Sequence, residues 1–201
     1  MIYLDNQEVE FHADSIGSAI TTAKDVLGSQ GRVVVEVRLG DRLLTGPDLT
    51  GSQTRPIGND DLWLYSANPK NLAMDTLVQI RAQLNEAPGV LQQAADLLQR
   101  DQANEAMAQV SDMIGLWLAT QQAVQRSAAL MGVNLDQMSV GDQTVGLLAR
   151  ELVGQLHTLK QVLEDRDPVA LADMLAYEWP GQIQKWGQLV DTLSEQIEQI
   201  I

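Results

Sequence analysis

Leu62-Trp63-Leu64-Tyr65-Ser66-Ala67-Asn68-Pro69-Lys70-Asn71-Leu72 is the stretch at which the pattern of this chain changes. Before it, short β-type runs such as Val33-Val34-Val35-Glu36-Val37 lie between Gly, Asp and Asn turns. After Pro69, apolar residues return every three or four positions almost to the last residue. Alternation suits a half-buried strand, and a period near 3.6 suits a helix with one apolar face. The reading is an α+β chain of two domains, a strand-rich domain over residues 1–66 and a helical one over 67–201.

The totals narrow the classes of function. With 45% apolar residues there is enough material for a core, and only 4% are aromatic, which suits helix layers better than an aromatic-lined pocket. The net charge is −14, with −5 carried by residues 1–66 and −9 by the rest. Both parts repel a phosphate backbone, so nucleic-acid binding is not expected. The chain has no cysteine, which removes disulfides, thiol catalysis and thiolate metal sites. Met1-Ile2-Tyr3-Leu4-Asp5 lacks the basic and apolar regions of a signal peptide, and no window is apolar enough to span a membrane. A cytoplasmic protein with no membrane partner is the expectation.

In the first domain, Ile2-Tyr3-Leu4 and Val9-Glu10-Phe11 flank Asp5-Asn6, a pair that tolerates positive φ and so predicts a hairpin. Ile16, Ala19, Ile20, Ala23 and Leu27 share one helical face, with Asp14 or Ser15 as cap and Gly28 and Gly31 at the exit. A second hairpin follows, Arg32 to Leu39 and Arg42 to Thr45, turning at Gly40-Asp41. Gly46 to Asn59 reads as a loop, and Asp61 to Ser66 as a last strand. Hairpin, helix, hairpin, loop and strand resembles the ubiquitin-like β-grasp in order and size. Gly40-Asp41-Arg42-Leu43-Leu44-Thr45-Gly46-Pro47-Asp48-Leu49 is similar to the matching hairpin and turn of ubiquitin-like domains. The domain runs straight on into Asn68-Pro69 where modifiers end in a free Gly-Gly, so the resemblance implies an adaptor or recognition module and not conjugation.

The second domain reads as an all-α antiparallel helical bundle. Asn68-Pro69 and Asp167-Pro168 each place a capping side chain before a proline at the first helical position, where the missing N–H costs nothing. Ser139-Val140-Gly141-Asp142 reads as a capping box with Asp in place of Glu. Glu86-Ala87-Pro88-Gly89 interrupts the first run, giving expected helices near 70–85, 89–100, 104–131, 140–164 and 168–200. Met107, Val110, Ile114, Trp117, Val124 and Ala128 form one seam, and Leu148, Leu152, Leu156, Leu159 and Leu163 another. Each stripe must be buried against another helix. Either the bundle closes on itself, or part of a stripe stays open for a partner or a second copy.

The last helix carries the candidate partner-binding residues Tyr177, Trp179, Ile183, Trp186, Val190, Leu193 and Ile197. Pro180 and Gly181 interrupt this stripe without shifting its phase, which predicts a kinked but continuous helix. Trp179 and Trp186 are of the type that anchors interfaces, and Ile200 and Ile201 extend the apolar end.

Chemistry-bearing motifs are sparse. His12 and His157 stand outside any His-x-x-x-His or His-Glu arrangement, and Ser15, Ser18 and Ser52 outside any nucleophile elbow. Asp60-Asp61 and Glu164-Asp165 lack the spacing of a calcium loop, and Glu178 beside the proline kink reads as an exposed helical acid rather than a buried one. No cofactor, metal site or catalytic set is predicted. The expected function is a non-enzymatic protein-interaction adaptor or chaperone-like protein that binds a partner or dimerises. Acidic helical bundles with open apolar faces are similar to flagellar and type III export chaperones, which mask helices of their cargo. The alternative is an enzyme or small-molecule binder with a site between the two domains.

Overall fold

The computed structural model describes residues 1–51 and 54–200. The chain is α+β, with a small mixed sheet and several helices. It forms two compact units, Met1–Leu72 and Ala73–Ile201. Ser52 and Ile201 lie outside the described residues.

In the first unit, β1 (Ile2–Leu4) and β2 (Gln7–Glu8) form a hairpin, followed by helix α1 (Ile16–Gly28), β3 (Val33–Leu39), β4 (Arg42–Leu43), a short helix α2 (Gly46–Gly51) and β5 (Leu62–Ala67). The strand order is β2-β1-β5-β3-β4, with β1 parallel to β5 and the other pairs antiparallel. Asp5 and Asn6 take φ values of 50° and 66°, the left-handed turn that this dipeptide favours. Ser15 caps α1: its Oγ accepts from the Ser18 amide while the Ser18 hydroxyl oxygen accepts from the Ser15 amide. Ile16, Ala19, Ala23 and Leu27 of α1 pack on Ile2, Val37, Leu39, Leu62 and Leu64 of the sheet, with Leu44 closing the same core. Each large side chain so buried contributes about 1.5–3 kcal/mol.

Three details of this unit differ from the sequence reading, the first being that the second arm of the first hairpin is Gln7–Glu8, ahead of the expected Val9-Glu10-Phe11. The expected loop from Gly46 begins with α2, because Pro47 and Asp48 occupy its first turn, where a missing N–H is harmless and an acid meets the positive helix end. That early helix start also cuts β4 to two residues.

The second unit contains α3 (Pro69–Gln99, whose first residues belong to the first unit), α4 (Ala103–Met131), a 3₁₀ turn (Leu135–Gln137), a hairpin of β6 (Ser139–Val140) and β7 (Gln143–Thr144), α5 (Val145–Asp165), α6 (Pro168–Asp173), a π turn (Met174–Glu178) and α7 (Trp179–Glu198). Its core draws Leu77, Leu84 and Leu91 from α3, Trp117 from α4, Leu148 and Leu152 from α5, and Trp179, Ile183, Trp186, Leu193 and Ile197 from α7. Ala73, Ala87, Ala94, Ala106 and Ala128 are buried among them, and small residues at such positions let helix backbones approach closely. No helix among the described residues is long and apolar enough to cross a membrane.

Three helix boundaries correct the sequence reading. Pro88 does not divide α3, which runs through it. Leu84, Ala87 and Leu91 stay in phase and buried on both sides of the proline, and their burial holds the helix across its missing hydrogen bond. Ser139-Val140-Gly141-Asp142 is not a cap: Gly141, at φ 57°, turns the β6–β7 hairpin, and Thr144 caps α5 by accepting from the Leu147 amide. The last run is continuous through Pro180, as expected, but a π turn precedes the proline, with the Trp179 N–H reaching back to the Met174 carbonyl. Asp167 and Asn68 do cap their helices, each Oδ1 accepting two backbone amides.

Candidate functional site

The residues proposed to bind a partner are placed in two very different environments. Trp179 and Trp186 are 1% and 3% exposed, and Ile183, Val190, Leu193 and Ile197 are as deeply buried. Only Tyr177, on the π turn, stands in solvent at 80% exposure. The C-terminal stripe is therefore a core element of its own unit and not an open face. The reason is aromatic packing: Trp117 of α4 meets Trp179 and Trp186 edge-on, at centroid distances of 6.0 and 5.8 Å. Such pairs add about 0.5–1.5 kcal/mol beyond the area they bury. The indole N–H groups of all three are buried with no hydrogen-bond partner among the described residues, which costs part of what their packing contributes.

Beside this core, α5 and α7 border a polar groove of about 510 Å³. Lys185 Nζ donates to Glu151 Oε2 at 2.8 Å, and Gln143 Nε2 donates to Glu151 Oε1 at 2.7 Å. The bond from Lys185, opposed by desolvation and aided by Gln143, holds the Glu151 carboxyl below its ordinary range. Gly154 and Gly181 line the groove with open space where their Cβ atoms would stand. Gln182 is buried at its floor and donates to the Leu148 carbonyl at 3.3 Å. Glu178 lines the same groove but is an exposed helical acid. The groove offers charge pairing and amides to a polar ligand.

A cleft of about 870 Å³ lies in the first unit, between α1 and the β3–β4 side of the sheet. Ile20, Val34, Val37, Leu44 and Leu49 give it an apolar lining, with Lys24, Thr21 and Glu36 among the polar residues. Val35 and Leu43 are exposed at its margin, at 45% and 48%. Along this margin the sheet edge is open. β5 pairs with β3 from Val33 to Leu39, but β4 pairs only with Arg38 and Leu39. Among the described residues, Val33 to Glu36 have a strand on one side and none on the other.

A smaller apolar cleft of about 300 Å³ lies between α4 and α5, lined by Ile114, Leu156, Leu159 and Leu163, with Lys160 and Glu164 at its rim. These seam residues were expected to pack, and Ile114, Leu156 and Leu163 are only partly covered.

The other sequence candidates do not converge. His12 and His157 are exposed on different units, Asp60 is exposed, and Glu164 pairs with Lys160 at 3.6 Å within one helix. Among the described residues no group of three His, Asp or Glu side chains is placed to hold a metal ion. Sequence reasoning missed the β3 cleft. Its signals were present in the unbroken Val33-Val34-Val35 run and in Gly46-Pro47, which stops the opposing strand early.

No curated protein and no solved structure matches the chain. A family model does match, over residues 75–189, which is more than half of the chain and most of the helical unit. The chain belongs to that family, described as a domain of unknown function (DUF8042).

Proposed function

We propose that this protein is a non-enzymatic cytoplasmic adaptor that binds a protein partner, with a ubiquitin-like β-grasp followed by an antiparallel helical bundle. The strand order β2-β1-β5-β3-β4, with one long helix packed on the sheet, supports the β-grasp reading. Short links between α3 and α4 and between α5 and α6 support the bundle reading. The observation that carries the function is the unpaired Val33–Glu36 edge of β3 beside an apolar cleft. Unpaired strand edges are a liability that proteins cover or charge, and one left open beside exposed Val35 and Leu43 is a contact surface. The partly covered α4–α5 cleft supplies a second apolar surface for a partner helix, the chaperone-like use of the bundle.

Affinity purification from the source cell, read by mass spectrometry, tests this with the native chain and Leu43→Glu. Leu43 is exposed, so the variant keeps its fold. The adaptor reading expects a partner protein that the variant loses. Recovery of no partner above background contradicts it.

The α5–α7 groove favours one alternative, a small polar ligand held by Lys185, Gln182 and the Glu151 carboxylate. Native mass spectrometry of the purified chain decides it: a retained small molecule that Gly181→Leu displaces supports this reading, and bare protein mass argues against it.

A further inference from the structure

We propose that the β3 edge accepts one short strand from a partner protein, an extended apolar segment with β-branched side chains at alternate positions and an acidic residue beside them. This inference rests on the adaptor reading and specifies its ligand.

The backbone provides the first argument. Among the described residues no strand pairs with Val33 to Glu36 on the outer side of β3, a span of about 13 Å at 3.3 Å per residue. An incoming strand that pairs there satisfies main-chain groups independently of its sequence. The β-bulge between Val34 and Glu36 interrupts the regular edge. Such bulges twist an edge away from extended sheet-to-sheet contact, which leaves addition of a single short strand as the fitting mode.

The side chains provide the second. Alternate residues of an added strand point toward the cleft, where Ile20, Val34, Leu44 and Leu49 form an apolar floor. β-branched side chains suit that pleated, half-buried position. No groove residue projects a proline or an unpaired acid against the strand.

Charge provides the third. Arg38 is engaged by Glu36 at 2.6 Å, and Arg42 by Asp48 at 2.7 Å. Lys24 lines the cleft, exposed, with no ion pair or hydrogen bond among the described residues. In a unit where acids outnumber bases, an unengaged lysine in an apolar cleft is matched by a carboxylate on the ligand. A second copy of the chain is the weaker occupant, because it would bring another net charge of −14 to the contact.

The test uses the whole 201-residue chain and a random twelve-residue phage-displayed peptide library as probe. The leading sequence is then synthesised and titrated by fluorescence anisotropy against the native chain and Lys24→Glu, with amide chemical shifts recorded for the native chain. The proposal expects peptides with alternating Val or Ile and at least one Asp or Glu. It expects about tenfold weaker binding to Lys24→Glu, restored when the peptide's acid is exchanged for lysine. It also expects shifts centred on Val33 to Glu36. Peptides that bind but shift other residues overturn strand addition while leaving the adaptor reading in place. Failure to enrich any peptide overturns strand addition too, and the partner-recovery experiment separately decides the broader reading. If the β3 amides shift only with protein concentration, the occupant is a second copy and the assignment to a partner is overturned.

Discussion

The amide of Leu44 donates to the carbonyl oxygen of Val37 at 2.9 Å, and with that bond the pairing on the outer side of β3 stops. Everything proposed for the first unit follows from this short reach. Gly46 and Pro47 begin a helix where a longer β4 would have continued, so Val33 to Glu36 keep an open side.

The tryptophans of the helical unit are predicted to act through stability. Trp179→Ala and Trp186→Ala should each cost about 3–5 kcal/mol, because each removes a large side chain from a closed core. Tyr177→Ala should stay within about 0.5 kcal/mol, since its ring is in solvent. Urea unfolding of the three variants checks this. A Trp186→Ala midpoint equal to that of the native chain would place the ring outside the core.

Pro88 lies inside α3 and withholds a hydrogen bond from the Leu84 carbonyl. Pro88→Ala should raise stability by about 1–3 kcal/mol, the intrinsic helix penalty less the packing of the half-buried ring. The readout is the melting temperature. A fall would mean that the ring's contacts outweigh the backbone cost.

Two glycines should respond in opposite directions to alanine. Gly141 sits at φ 57° in the β6–β7 turn, and Gly141→Ala should cost about 1–2 kcal/mol. Gly115 is an exposed residue inside α4 with no atom near its missing Cβ, and Gly115→Ala should gain about 0.5–1 kcal/mol. Chemical denaturation of the pair separates backbone conformation from packing.

Asp5 gives the first unit a predicted dependence on acid. Partial burial raises its pKa, but the Ser66 hydroxyl and amide, at 2.6 and 2.7 Å, and the Arg32 guanidinium outweigh that and hold the carboxyl below its ordinary value. A depressed carboxylate stabilises the fold at pH above its unfolded pKa, and the benefit is lost as pH falls through the lower, folded pKa. Asp5→Asn should therefore destabilise the chain at neutral pH and flatten its stability profile below about pH 4. Parallel profiles for the two proteins would show that Asp5 contributes nothing to that slope.

Much of this architecture was legible from local chemistry. The change of period after Ser66, the Asp5-Asn6 turn, the serine cap of α1 and the Asn68 and Asp167 caps all depend on neighbouring residues, and the structure has them. The errors arose where distant burial decided. Nothing near Pro88 announces that Leu84 and Leu91 are held from outside, and Gly141-Asp142 forms the same kind of turn as Gly40-Asp41 although a helix follows it. The tryptophan stripe is visible in the sequence as one helical face, but a stripe does not state what covers it. Trp117, some sixty residues away in sequence, supplies that answer.

The outer side of Val33–Glu36 is the proposed docking edge for a partner. Amide hydrogen exchange of the 201-residue chain, alone and with the recovered partner, reads that edge residue by residue. Outward-facing amides of Val33 to Glu36 should exchange faster than those of Val37 to Leu39 in the free chain, and the same segment should be strongly protected in the complex. Unchanged exchange in β3, with protection confined to the helical unit, would contradict it.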